Sequence, residues 1–581
     1  MRDARGTIIP HVIDAPKTKD IASVDLYLPK DDVLFVPLGG SGEIGMNLNL
    51  YGYDDQWLMV DMGVSFGEEG LPGVDVVMPD PTFIEERKDK LLGLVLTHAH
   101  EDHLGAVPYL WPRLKCPIYA TPFAAEFLKA KLSETDFADQ VPIHVIELGG
   151  RFQLGCFDIE FVTMTHSILE PNALAIRTPK GLIVHTGDWK FDPDPQIGEA
   201  SDVKKLEALG DEGVMALVCD STNVFSEGKT GSEGDVAKNL SKLFAEHPQG
   251  RIAVACFATN VARVQSVIEA AHENGRCVGL AGRSLNRVTE AAREVGYLKG
   301  YPNLLTDEDA MEVPKDQVLL LCTGSQGEPR AALSRIAKGD HPTVQLDPGD
   351  TVVFSAREIP GNEKSIGYIQ NLLIRRGVKV ITARDEPIHV SGHPGREDLT
   401  RMYQLTRPKI LVPVHGETRH LCEQAALGAE CQIPEQVIPH DGTVIRLAPG
   451  DAHVIGVAEA GVLALDGGRL LKRDADTFRN RNRIVWNGVM FVTVVLNQFG
   501  EMVNEPMITA PSLFDEPGEE TRLDQFAAEI GNRIDQLNDE EVMNDATVIL
   551  AVRQALRRPV RQRMGKRPLI EVHLARVKEQ G

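Results

Sequence analysis

Paired cysteines are missing from this chain: its eight cysteines stand singly, with no C-x-x-C and no regular spacing. That argues against a disulfide framework and a cysteine-held zinc cluster, and it predicts a reducing, cytoplasmic setting. Long apolar runs are missing too. No segment reaches the roughly 18 uninterrupted apolar residues of a membrane span, and the opening MRDARGTIIPHVIDAPKTKD has no apolar core of a secretory signal. A protein without a membrane partner is expected. Neither a G-x-S-x-G elbow nor a Cys-His signature is present, so no serine or cysteine nucleophile is expected. Positive charge is also scarce: 61 Lys and Arg stand against 84 Asp and Glu, a formal net charge of -23. A nucleic-acid partner would therefore need a local basic patch, or divalent metals at the site, to meet its phosphates.

What is present is enough apolar content for several cores. The 581 residues are 43% hydrophobic, which predicts two or three globular units. After a polar tail, short apolar runs bounded by Gly and Asp follow closely: VLFVPLGG from Val33, NLNLYGY from Asn47, WLMVDMG from Trp57 and LLGLVLTHAH from Leu91. These read as strands ending in loops, as do FDIEFVTMTH, GLIVHTGDW and GVMALVCDSTN. From about residue 220 strands alternate with helical stretches (RIAVACFATN, VARVQSVIEAAHENG, RCVGLAG, SLNRVTEAAREVGYL), the pattern of a parallel α/β unit. KILVPVHGE returns to the first style, which makes the α/β unit an insertion. Beyond residue 450 a glycine-rich stretch leads to a compact α+β module: strand-like RIVWNGVMFVTVVLN, two helical runs and a final LIEVHLARV. Neither low-complexity sequence nor a fixed-period repeat is found.

The densest chemistry is His98-Ala99-His100-Glu101-Asp102-His103, directly after an apolar strand. A strand ending in a tight loop aims such side chains into one cleft, and imidazole with carboxylate suits zinc or manganese. His166 in TMTHSI and Asp188 in HTGDWK also follow strands; such residues are ordinarily caps or turns, but their order and setting fit the same cleft.

With these residues the sequence resembles the metallo-β-lactamase superfamily. The resemblance implies two divalent metal ions, with His98, His100 and His166 on the first, Asp102, His103 and His415 on the second, and Asp188 bridging. Asp61 in VDMG would support the metal loop from behind. CDSTN (219–223), HVSGH (389–393) and PVHGE (413–417) resemble three further motifs of the β-CASP nucleases, with Asp220, His393 and His415 as their polar residues. The order PLGGSGEIGMN, THAHEDHLGA, TGSQGEP, IPGNE, HVSGH, PVHGE, across nearly the whole chain, is similar to the ribonuclease J family. Ala262, before Arg263, and Arg357-Glu358 depart from that family's usual residues without removing a proposed ligand.

The implied fold class is α/β: a metallo-β-lactamase αββα sandwich with an inserted β-CASP α/β domain and a small α+β C-terminal domain. The expected division is a tail over 1–20, the metal domain over 21–219 and 386–450, the insertion over 220–385, a linker over 451–471 and the C-terminal domain over 472–581. The implied function is metal-dependent RNA phosphodiester hydrolysis, 5′-to-3′ from a 5′-monophosphate with possible internal cutting, in RNA maturation and decay. Asp102 and Asp188 would act at the metals. His393 would stabilise or protonate the leaving oxygen, or only hydrogen-bond a neighbouring carboxylate. His389, Ser391 and Gly392 would take the 5′-phosphate. Zinc and manganese both fit the ligands. Arg553, Arg557, Arg558, Arg561, Arg563, Lys566 and Arg567 either contact RNA or form a solvated or subunit-facing surface. A homodimer or homotetramer is implied, together with other RNA-decay proteins as partners. The rival readings are a small-molecule metallo-hydrolase, which needs no insertion, and a non-catalytic RNA-binding subunit, which needs no ligands.

Overall fold

The computed structural model describes residues 28–577 except 69, 302, 360, 512 and 515–519; the expected tail over 1–20 lies outside the described residues. The described residues form two compact units, 28–65 with 77–462 and 66–76 with 463–577. No helix among the described residues is long and apolar enough to cross a membrane.

In the first unit the early apolar runs pair into an eight-stranded sheet, in spatial order His453–Val457, Thr443–Ala448, Val33–Gly39, Leu48–Tyr53, Gln56–Val60, Leu91–Val95, Ile118–Ala120 and Ile143–Val145. A second sheet of seven strands runs Arg151–Leu154, Phe157–Thr163, Asn172–Thr178, Gly181–His185, Val214–Asp220, Ile410–Val414 and Glu435–Gln436. Successive side chains of a strand face opposite ways. Phe35, Leu58, Val60 and Val95 of the first sheet therefore meet Phe157, Phe161, Leu174 and Val218 of the second in one core. Each large apolar side chain sequestered there stabilises the fold by about 1.5–3 kcal/mol. The other face of the seven-stranded sheet is covered by helices Val203–Glu212, Arg396–Thr406 and Thr418–Glu430, through Leu206, Leu209, Leu399, Met402 and Leu427. Helix Pro122–Leu132 packs on the far end of the eight-stranded sheet, completing an αββα sandwich.

Between Val214–Asp220 and Ile410–Val414 the chain makes an excursion. It builds a wholly parallel sheet in the order Cys277–Ala281, Val318–Cys322, Ile252–Ala255, Thr351–Phe354, Lys379–Thr382. Ile252 and Val254 turn to helices Glu233–Ala245 and Val261–Glu273, and Ala253 and Ala255 to helices Ala332–Lys338 and Glu363–Arg375. A sheet covered on both faces reads as a continuous apolar run, as VLLLC does. The returning strand lies beside the departing one, with Asp220 opposite Val414. The two strands run parallel, so Asp220 and the residues after Val414 stand at the same carboxyl end of the sheet.

In the second unit a three-stranded sheet orders as Met507–Thr509, Val489–Asn497, Leu569–Val577. Met490, Val492, Val494 and Leu496 pack against Phe526 and Ile530 of helix Glu520–Ile534 and Val552 and Leu556 of helix Asp545–Met564. The strand expected over RIVWNGVMFVTVVLN begins late: RIVWN closes a helix, Asp476–Asn487, which stops at Gly488 (φ 77°). The second expected helical run breaks because Asn544 caps a new helix by accepting from Thr547 N–H. The stretch 451–471, expected as a linker, carries the sandwich strand His453–Val457 and the strands Val462–Asp466 and Arg469–Lys472.

Candidate metal centre

Five polar residues emerge at the carboxyl ends of sandwich strands: Asp61 after Gln56–Val60, His98 after Leu91–Val95, Asp188 after Gly181–His185, Asp220 ending its strand, and His415 after Ile410–Val414. Loops at strand ends are where a rigid scaffold carries function. Asp61 and His415 hold left-handed backbone (φ 62° and 53°), a conformation that costs about 1–3 kcal/mol outside glycine and is sustained here by neighbours. Asp61 N–H donates to Val95 O (3.0 Å) and His415 N–H to Gly40 O (2.7 Å).

The sequence-expected ligands come together. His100 Nδ1 lies 3.1 Å from both His98 Nε2 and His166 Nε2. Asp188 Oδ2 lies 3.3 Å from His103 Nε2, 3.6 Å from His166 Nε2 and 3.9 Å from His98 Nε2. Asp102 Oδ2 lies 3.2 Å from His415 Nε2 and 3.8 Å from His103 Nε2. Ligand atoms of His98, His100, His166 and Asp188 lie within 4.8 Å of one another, as do those of Asp102, His103, Asp188 and His415.

The hydrogen bonds determine where the lone pairs point. Thr97 O–H donates to Asp61 Oδ2 (2.8 Å), so His98 Nδ1 must be the donor to Thr97 Oγ1 (3.0 Å), leaving a lone pair on His98 Nε2. His166 Nδ1 donates to Gly392 O (2.7 Å), leaving a lone pair on its Nε2. His103 Nδ1 donates to the same Asp61 Oδ2 (2.8 Å), which directs Nε2 inward. His100 can offer a proton to only one of the two lone pairs it faces. Asp188 Oδ1 is buried without a hydrogen-bond partner. Converging lone pairs and an orphaned carboxylate oxygen are the donor set of a cation site, so the residues fit divalent metals.

Electrostatics divide the imidazoles. Burial holds His98 and His166 well below their ordinary value and His100 down to about 4, so they are neutral donors. Burial also opposes charge on His103, His415 and His393, but carboxylates outweigh it. Asp188, Asp102 and Asp61 raise His103; Asp188, Asp102 and Asp220 raise His415 to about 10; Asp220 and Asp188 raise His393. His393 Nδ1 lies 2.8 Å from Asp220 Oδ2, so of its two expected roles the carboxylate hydrogen bond is present in the geometry. The buried thiols of Cys116, Cys219, Cys256 and Cys322 are pushed up to about 12, which leaves no thiolate nucleophile among them.

The expected phosphate loop is adjacent. Ser391 Oγ accepts from Asn223 Nδ2 (2.8 Å), His389 Nδ1 is buried without a partner, and the Gly392 carbonyl is engaged by His166. Gly392 also allows a close approach: a Cβ there would sit 2.6 Å from the His166 ring. Sequence reasoning missed Thr97, Asn47, whose Nδ2 contacts His103 Nε2 at 3.1 Å, and Thr222, whose hydroxyl contacts His415 Nδ1 at 2.8 Å. Each stands inside or beside a quoted motif, which is the one signal that could have raised it. In the basic run, Arg553 and Arg563 pair with Glu571 and Glu529, while Arg557, Arg558, Arg561, Lys566 and Arg567 are exposed.

Family models match in chain order: a beta-lactamase superfamily domain over residues 57–207, the ribonuclease J beta-CASP domain over 249–373, a Zn-dependent metallo-hydrolase RNA specificity domain over 378–434, and the ribonuclease J C-terminal domain over 477–577. Fold and matches together define a metallo-β-lactamase protein with an inserted β-CASP domain. The chain is 43% identical to Ribonuclease J of Sinorhizobium meliloti, over 94% of this chain and 98% of that one. It is 36% identical to Ribonuclease J of Corynebacterium glutamicum (93% and 76% covered) and 37% identical to that of Thermus thermophilus (81% and 83%). The chain belongs to the ribonuclease J family. A crystal structure of a protein of unknown function from Enterococcus faecalis V583 shares the fold, with a TM-score of 0.50 and 18% identity, covering 71% of this chain and all of that one.

Proposed function

We propose that this protein hydrolyses RNA phosphodiester bonds at a two-metal site, chiefly 5′-to-3′ from a monophosphorylated end, with internal cutting as a second activity. The observation that carries the reading is the convergence of His98, His100, His166, Asp102, His103, His415 and Asp188 around one buried carboxylate. The first three would hold one divalent ion, Asp102, His103 and His415 the other, and Asp188 both. Bound there, two such ions supply Lewis-acid polarisation of a phosphodiester and of water. The chain's own residues do the rest. Asp61 and Thr97 orient two imidazoles through the hydrogen bonds described above. Asp220 holds His393 by Nδ1, so His393 Nε2 is left to carry a proton to the leaving oxygen. His389, Ser391 and Gly392 would take the 5′-phosphate, setting the distance from the RNA end to the cleft. The insertion over 220–385 supplies the second wall of the RNA path, and the module over 472–581 supports a homodimer or homotetramer.

The test is digestion of one RNA prepared with a 5′-monophosphate, with a 5′-triphosphate and as a closed circle, by the native protein, its His98→Ala variant and chelated protein. Release of mononucleotides fastest from the monophosphorylated form, abolished in the variant and by chelation, is expected. Equal rates on all three forms would remove the end-directed part, and turnover by the chelated protein would remove the metal part.

A further inference from the structure

We propose that Arg357 is a specificity-determining residue of the end-binding loop: it locks Asn223 and Ser391 into a hydrogen-bond donor arrangement and supplies the unneutralised charge that favours a phosphorylated 5′ end. The inference rests on the end-directed reading above and adds a residue to it.

Arg357 follows strand Thr351–Phe354, at the carboxyl end of the inserted parallel sheet, where open α/β sheets bind ligands. Its backbone is pinned. Buried Gln326 donates Nε2–H to the Arg357 carbonyl (2.8 Å), and its Oε1 accepts from Ile359 N–H (2.9 Å). The side chain is exposed, and among the described residues its guanidinium makes one hydrogen bond, from Nη1 to Asn223 Oδ1 (2.7 Å).

That bond sets the direction of the next two. A guanidinium only donates, so the Asn223 oxygen faces it and the amide NH2 faces Ser391 Oγ (2.8 Å). His393 N–H also donates to Ser391 Oγ (3.2 Å). With donors on both lone pairs, the Ser391 hydroxyl can only give its proton away, and no acceptor for it is present among the described residues. The relay from Arg357 therefore ends in a donor, which matches a phosphate oxygen.

The charge around the loop singles out the same residue. Three cations act on the half-buried His389 imidazole: Arg263, Arg357 and Lys190. Arg263 is neutralised by Glu233 (2.9 Å) and Lys190 by Asp192 (2.8 Å). The adjacent Glu358 is ion-paired with Arg384. Among the described residues no carboxylate lies within ion-pair distance of Arg357, so of the three it alone has charge to spare for an anion.

The experiment compares Arg357→Gln and Arg357→Lys with the native protein on one RNA carrying either a 5′-monophosphate or a 5′-hydroxyl, measuring kcat and KM for each. The monophosphate-to-hydroxyl ratio of kcat/KM is expected to fall at least tenfold in Arg357→Gln, mainly through KM on the monophosphorylated RNA. Arg357→Lys, which keeps charge without the planar fork, is expected to fall between. Melting temperatures should stay together, since the replaced side chain is exposed. A ratio unchanged in Arg357→Gln, or equal losses on both RNAs, would overturn the inference. A native protein that shows no end preference would overturn the end-directed reading itself.

Discussion

At the residue scale the chemistry turns on hydrogen bonds that assign protons. Asp61 receives Thr97 N–H, Thr97 O–H and His103 Nδ1–H, and through Thr97 it also orients His98. One carboxylate thereby orients an imidazole of each proposed metal position. Such outer partners commonly account for 10–100-fold in metal affinity. Thr97→Val keeps shape and loses the hydroxyl, so His98 is free to take the wrong tautomer. Its zinc or manganese affinity is expected to drop at least about tenfold, read by competition with a chromogenic chelator while the melting curve of the chelated protein changes little. The motif around His98 was legible in sequence because three histidines and an aspartate in six residues have few structural uses. Thr97 was not, since threonine at a strand end is ordinary and its role depends on Asp61, 36 residues earlier.

At the scale of elements, two glycines show how closely backbone must approach the ligand loop. A Cβ on Gly63, in the VDMG segment, would sit 1.7 Å from the Asp102 carbonyl oxygen. Backbone cannot swing aside as a flexible side chain can. Gly63→Ala is therefore expected to cost about 3 kcal/mol, the upper end of the usual overpacking range, measured by the denaturant midpoint, and to lower metal occupancy. The HVSGH loop makes the second approach, with Gly392 against His166. Ser391 is independent of the ligands, so Ser391→Leu removes a hydroxyl and crowds the loop while metals remain bound. Exonuclease turnover on monophosphorylated RNA is expected to fall tenfold or more, about 1.4 kcal/mol, and proportionally more than cutting of a circle. Parallel losses with unchanged metal content would assign the loop to the chemical step or to general RNA binding. Most strands were readable from apolar runs, because a run bounded by Gly and Asp at that spacing has few alternatives. The helix over RIVWN was not, because its hydrophobic residues are exposed: Val485 and Trp486 are 63% and 75% accessible, so no buried periodicity marks it.

At the scale of the whole molecule, the loop that begins the sandwich is tied to its far end. Ser41 N–H donates to Asp441 Oδ1 (3.0 Å), and Gly40 N–H to Glu43 Oε1 (2.8 Å), behind the Gly40 carbonyl that receives His415 N–H. Burial and the adjacent, hydrogen-bonded Glu43 hold the Asp441 carboxyl well above the usual carboxylate range. A raised folded value means that the protonated form is favoured by folding. The contribution is complete below the unfolded value, about 4, and is lost as pH rises through the folded value. Asp441→Asn stays neutral and can still accept from Ser41. It is expected to melt higher than the native protein at about pH 9 and to match it only near about pH 3, below the unfolded value; a difference independent of pH would mean that the carboxyl does not titrate there.

The sequence by itself determined the residue types, their order and the strand ends that carry them, because side-chain chemistry and apolar runs are local properties. It also identified the family, since the motifs stand in order along nearly the whole chain. Only the tertiary structure decided which nitrogen of each histidine faces inward, how Arg357 directs Asn223 and Ser391, and that Gly392 serves His166. Those outcomes depend on hydrogen bonds between residues 226 apart for His166 with Gly392, 134 for Arg357 with Asn223 and 313 for His415 with Asp102, separations at which one chain's residue order carries no geometric information.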